Sequence, residues 1–243
     1  MRFAAVALLV LAAVSHISAL SDTRLTKHHL KKRASWPNPG TVKGDTTGIH
    51  DPSLVKTPGG EYILYGTGVG IPIWTSSDRT TWTSVGKAFS TAPTATDTFT
   101  GASDASLWAP DVTYVDNKYI MYYSASSFGS QHSAIFMAQS TTGLPGSWTN
   151  DGLVISTVSG SDYNAIDPHL IVTTSGSWYL SLGSFWTGVS LSLSYTSSKE
   201  GSRVRISGIK LIELSPSTGK PSGSTVTSIS ERYLAGHQSG FFY

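Results

Sequence analysis

An all-β fold built from a repeated unit is predicted by three observations. Short runs rich in Tyr, Ile, Val, Trp and Thr alternate with Gly, Ser, Asp and Pro turns from Ala34 onward. No stretch carries the spacing of a convincing amphipathic helix. Three segments share an acid-led start with an aromatic strand behind it, at intervals of nearly 60 residues, which is the size of a four-stranded β-propeller blade.

The first unit opens with His50-Asp51-Pro52-Ser53-Leu54, followed by Glu61-Tyr62-Ile63-Leu64-Tyr65. The second opens with Ala109-Pro110-Asp111-Val112, followed by Lys118-Tyr119-Ile120-Met121-Tyr122-Tyr123. The third opens with Ile166-Asp167-Pro168-His169-Leu170, followed by Trp178-Tyr179-Leu180-Ser181-Leu182. Asp51 to Asp111 is 60 residues and Asp111 to Asp167 is 56; matching Trp-Thr-x-x-Gly turns stand at Trp82 and Trp148. In a propeller the innermost strand of every blade lines a central channel, so residues recurring at its start converge although they are distant in sequence. The same Asp and Pro residues also read as simple turn signals, Asp111 above all. Ser215 to Ser224, rich in Ser, Pro and Gly, reads as a loop joining two blades, and Glu200 to Arg205 as a charged blade edge.

Composition removes several classes. The 243 residues include no cysteine, so neither a disulfide scaffold nor a cysteine-ligated metal is available. Residues 1–20 read as a secretory signal peptide, with Arg2, an apolar run from Phe3 to Val14, and small residues ending at Ala19. That run is too short for a membrane-spanning helix. Residues 21–33 read as a basic propeptide ending in Lys31-Lys32-Arg33, which leaves 34–243 as the mature, extracellular domain. These first 33 residues hold six of the 17 Lys and Arg and one of the 15 Asp and Glu. The remaining 11 basic and 14 acidic residues give a net charge of −3, so the formal +2 of the whole chain is no argument for a nucleic-acid partner. The Ser-rich run Ser124–Ser133 lacks the Gly-x-Ser-x-Gly elbow of a serine hydrolase.

Five strings in order, His50-Asp51-Pro52-Ser53-Leu54, Trp108-Ala109-Pro110-Asp111-Val112, Ser127-Phe128-Gly129-Ser130, Asn164-Ala165-Ile166-Asp167-Pro168 and Gly183-Ser184-Phe185-Trp186, resemble the family-43 glycoside hydrolases. Within that family they are most similar to secreted fungal endo-1,5-α-L-arabinanases. The resemblance implies a five-bladed β-propeller and inverting hydrolysis of arabinan by three acids, in a monomer with neither membrane nor nucleic-acid partners. Carried over by position, Asp51 is the general base and Asp167 the acid that tunes the proton donor. Trp108 and Phe128 are then platforms for sugar rings, His50 lines the channel, and Asn164 and Ser184 are polar groups near the cleaved bond. Inversion needs base and acid on opposite faces of the sugar, roughly 6.5–9.5 Å apart, a distance that carboxylates on different blades can meet.

The donor is the open position. Glu200, Glu213 and Glu231 are the acids after Asp167. Glu231 fits best by register, since Phe241-Phe242-Tyr243 follows it as Tyr62 follows Asp51, yet Arg232 beside it would lower a pKa that a donor needs raised. Glu231 therefore stands as a tentative donor, as an ordinary strand residue, or beside a donor that the sequence lacks. The residues after Arg33 accommodate three blades and the start of a fourth, so a C-terminally incomplete propeller is expected. The chemistry requires no cofactor. The resemblance implies a structural calcium in the channel, but His50, His132, His169 and His237 show no ligand-pair spacing. Alternatives to arabinan hydrolysis are a catalytically impaired arabino-oligosaccharide-binding fragment and a related β-xylosidase or α-L-arabinofuranosidase.

Overall fold

The computed structural model describes residues 40–161, 163–183 and 204–234, without the side chains of 204–207 and 231–234. The expected signal and propeptide, Ser184, Glu200, His237 and the Phe241–Tyr243 strand lie outside the described residues. Two compact units are distinguished, Met1–Gly40 and Thr41–Tyr243; the elements below belong to the second.

As expected, the described chain is all-β. Three antiparallel sheets follow one another, each an up-and-down meander of four strands. The first contains β2 (Ser53–Lys56), β3 (Tyr62–Tyr65), β5 (Pro72–Ser76) and β6 (Thr81–Lys87), with the short β1 (Lys43–Gly44) parallel to β6 at its outer edge. The second contains β7 (Ser106–Val115), β8 (Lys118–Ser126), β9 (Ser133–Ser140) and β10 (Trp148–Thr157), with β4 (Gly68–Val69) added beside β7. The third contains β11 (His169–Val172), β12 (Trp178–Leu182), β13 (Val204–Leu214) and β14 (Pro221–Leu234). One helix that the sequence pattern did not suggest, α1 (Thr94–Thr100), lies between the first two sheets and ends at Gly101 with φ 70°.

Local chemistry sets the hairpins. Asp116 and Asn117 both have positive φ (51° and 61°) between β7 and β8, the backbone of a two-residue turn whose twist matches the strands and which Asn and Asp tolerate. The β2–β3 and β11–β12 turns each carry a left-handed glycine, Gly60 and Gly176, at corresponding places in the repeat. Ser215–Lys220 forms the hairpin between β13 and β14, closed by Ser215 N donating to Lys220 O at 2.8 Å. The expectation of a loop joining two sheets there is thus corrected. Strand patterning resumes at once on either side, so Pro221 starts a strand of the same sheet.

The repeat itself also needs correcting. Asp51, Ala109 and Asp167 share one conformation, with φ of 47°, 43° and 53°, and each immediately precedes a proline. They lie 58 residues apart in both steps. Asp111 therefore corresponds to Ser53 and His169 rather than to the two other aspartates. The apparent 60 and 56 spacing averaged over this offset of two.

The second sheet is apolar on both faces. Along β8 and β9, Tyr119, Met121, Tyr123, Ala134, Phe136 and Ala138, joined by Trp148 of β10, pack toward the first sheet against Ile63, Tyr65 and Ile73. The alternating residues Ile120, Tyr122, Ile135 and Met137 pack toward the third against Leu170, Leu180, Leu182 and Ile212. This is the period-two alternation of a strand buried on both sides. Buried tyrosines also bond across the junctions: Tyr65 donates to Gly143 O at 2.9 Å, and Tyr122 to Gly219 O at 2.7 Å.

Leu180 is fully buried at the second junction, whereas Leu54 is 51% exposed on the first sheet. Leu180→Ala is expected to lower unfolding free energy by about 2–5 kcal/mol, and Leu54→Ala by no more than about 1 kcal/mol. Denaturant unfolding followed by tryptophan fluorescence measures both.

Candidate active site

The three left-handed turns place Asp51, Ala109 and Asp167 around one cavity. Its volume is about 340 Å³, and it is lined by these residues with Pro52, Ser53, Pro110, Asp111 and Pro168. A strand alternates its side chains between two packed faces. A residue held out of extended conformation just before the strand can aim its side chain elsewhere.

Asp51 is held by two donors on one oxygen. Its Oδ2 lies 2.7 Å from Thr67 Oγ1 and 2.7 Å from His50 Nδ1. A carboxylate only accepts, so both partners donate, and Nδ1 carries the imidazole proton. Asp167 is held through its backbone, its N–H donating to Ser124 Oγ at 3.1 Å, while Gly183 N donates to Ile166 O at 2.9 Å. Loss of solvent raises the Asp167 carboxyl above the ordinary carboxylate range, and the negative charge of Asp51 raises it further.

Asp111 is neither a turn residue nor a third equivalent acid. On β7 its Oδ2 accepts from Leu170 N at 2.7 Å and its Oδ1 meets His169 Nδ1 at 3.0 Å. One sheet earlier, Ser53 Oγ accepts from Val112 N at 3.0 Å. Side chains at the same place in successive units thus tie each inner strand to the next.

The other expected site residues are distributed less tightly. His50 stands beside Asp51. Trp108 is half-buried on β7, just before Ala109. Phe128 is 99% exposed in the loop after β8. Asn164 is only 2% exposed, and its Oδ1 has no partner among the described residues, so it stands behind the cavity wall. Ser184 lies outside the described residues. Glu231 departs from the register expected of it: its backbone runs in β14, paired with Gly208 of β13, three strands from β11. β13 and β14 extend over 11 and 14 residues, so Glu231 falls within the third sheet.

Thr67 and Ser124 were not singled out by the sequence. Each is a hydroxyl at the end of a sheet's second strand that accepts the N–H of the next left-handed residue, Ala109 at 2.8 Å and Asp167 at 3.1 Å. Their signal was local, a Thr or Ser closing an aromatic strand, and too common to read alone. Among the described residues no group of three or more His, Asp or Glu side chains is arranged to hold a metal ion. No helix among them is long and apolar enough to cross a membrane.

Because Asp167 binds its proton more tightly folded than unfolded, its contribution to stability falls as pH rises from the unfolded value near 3.8 through the higher folded one. Asp167→Asn is therefore expected to melt at higher temperature than the wild type near pH 7, the gap closing near pH 3. Paired thermal melts at the two pH values measure it.

Comparison with known proteins follows this geometry. The chain is 37% identical over 208 residues to the extracellular endo-α-(1→5)-L-arabinanase 1 of Bacillus subtilis, covering 80% of this chain and 58% of that protein. It is 43% identical over 157 residues to arabinan endo-1,5-α-L-arabinosidase A of Aspergillus niger, covering 63% of this chain and 47% of that protein. Among solved structures, a family-43 endo-arabinanase from Bacillus licheniformis superposes with a TM-score of 0.64 at 35% identity, over 78% of this chain and 59% of that one. The chain thus spans about half the length of these relatives. Residues 46–243 match the model of glycosyl hydrolases family 43, and on that match the chain belongs to family 43 of the glycoside hydrolases.

Proposed function

We propose that the protein is a secreted glycoside hydrolase acting on the internal α-1,5-L-arabinofuranosidic bonds of arabinan with inversion. The observation that carries this reading is the convergence of Asp51 and Asp167 on one cavity from equivalent turns of different sheets, in unlike environments. The arabinanase relatives support the substrate. The three meanders are read as consecutive blades of a five-bladed β-propeller.

Asp51, held by two donors, removes a proton from water as the water oxygen bonds to the anomeric carbon. The glycosidic C–O electrons leave with the departing oxygen, which takes a proton from the donor acid. Asp167 keeps that donor's proton affinity high, a role that suits a carboxyl whose surroundings oppose added negative charge. The exposed Phe128 ring and Trp108 offer apolar faces to furanose rings, and the channel base carries His50.

A second reading is favoured by one observation, the position of Glu231 in β14. On that position, a protein that binds arabino-oligosaccharides without cleaving them is the alternative.

Purified full-length protein is expected to release arabino-oligosaccharides of inverted anomeric configuration from debranched arabinan, read by proton NMR, with little release from xylan. Asp51→Asn is expected to lower kcat by about 10²–10⁴-fold while oligosaccharide binding by titration calorimetry persists. Binding by the wild type without any product would establish the second reading, and product from xylan alone would sink the arabinan assignment.

A further inference from the structure

Thr67 sits between two of the left-handed turns and touches both. Its backbone N–H donates to His50 O at 2.8 Å, which pins it to the strand start that carries Asp51. Its Oγ1 has two neighbours, Ala109 N at 2.8 Å and Asp51 Oδ2 at 2.7 Å. The chemistry of those neighbours decides where the proton is. A backbone N–H only donates, so Oγ1 accepts from Ala109; a carboxylate only accepts, so the hydroxyl proton points to Asp51. A hydroxyl that accepts one bond is polarised into a better donor for the next.

The other donor to Oδ2, His50, is the neighbouring residue on the same chain and reports nothing about the second sheet. Thr67 does, because Ala109 belongs to β7 of the second sheet, at the break in its pairing with β8 between Trp108 and Asp111. With both donors on Oδ2, Oδ1 of Asp51 makes no hydrogen bond among the described residues.

We infer that Thr67 is a positioning residue for Asp51: it fixes the carboxylate through Oδ2, leaves Oδ1 to receive the proton, and makes that alignment depend on how β7 is seated beside β2. This rests on the reading of Asp51 as the base. It assigns the base's orientation to a cross-sheet hydroxyl rather than to the neighbouring histidine alone.

Thr67→Val replaces the hydroxyl with a methyl of the same shape, and Thr67→Ser keeps the hydroxyl. Three-bond couplings from the Asp51 Cγ to its backbone N and carbonyl carbon, measured in the full chain by NMR, report whether the side chain holds one rotamer. One rotamer is expected in the wild type and in T67S, and rotamer averaging in T67V. On debranched arabinan, T67V is expected to lose about 10- to 100-fold in kcat with KM little changed, and T67S to stay close to the wild type. Averaging in the wild type overturns the inference without any variant, as does a single rotamer kept in T67V. If T67V does not fold, T67S decides, since averaging there, with the hydroxyl present, equally overturns it and a single rotamer supports it. A wild type that cuts no arabinan but shows the expected couplings sinks the functional reading and leaves the positioning role standing. Cleavage by T67V at the wild-type rate does the reverse.

Discussion

The left-handed residue before a proline, at the mouth of each inner strand, is the constraint on which the site depends. Such a residue normally takes extended conformation, because the proline ring crowds it. Holding Asp51, Ala109 and Asp167 at φ of 43–53° costs on the order of 1–3 kcal/mol apiece, which the surrounding bonds must offset. At Ala109 and Asp167 the offset is visible: the N–H freed by the turn goes to a hydroxyl of the preceding sheet, Thr67 or Ser124. The strained turn and the contact between sheets are therefore one structure, and the carboxylates are aimed by the packing of their neighbours.

That packing is set by the second sheet. With tyrosines and methionines on both faces of β8 and β9, these strands are buried on both sides, and the sheets flanking them have no freedom to shift without opening a buried face. Its inner strand is then fastened laterally in the same way at both junctions, Ser53 to Val112 and Asp111 to Leu170. Asp111 belongs to this fastening. Its carboxylate is nearly spent on Leu170 and His169, which separates it in role from the two aspartates that share the cavity with it.

Environment separates those two from each other. Asp51 has hydroxyl and imidazole donors on one oxygen. Asp167 loses solvent and faces the charge of Asp51, which favours its neutral form. Two identical side chains placed by equivalent turns thus acquire unlike surroundings, and an alanine stands at the corresponding position of the middle sheet.

Strand identity, the repeat and the two aspartates that share the cavity were legible in the chain, because alternation, turn residues and Asp-Pro pairs are local signals that physics imposes on each segment separately. Asp111 was misaligned for the same reason. An acid near a proline looks alike in sequence whether it precedes or follows it, and only φ distinguishes Ala109 from its neighbour. Glu231 was aligned by aromatic spacing, whereas its backbone pairs inside the long β14. Thr67 and Ser124 carried only a common local signal, since their partners lie 42 and 43 residues away along the chain. The sequence by itself determined which residues form strands, since that follows from backbone sterics and hydrophobic period. Only the tertiary structure decided which oxygen of Asp51 is held and which acid is desolvated, since hydrogen bonds and dielectric depend on neighbours that the chain brings from other sheets.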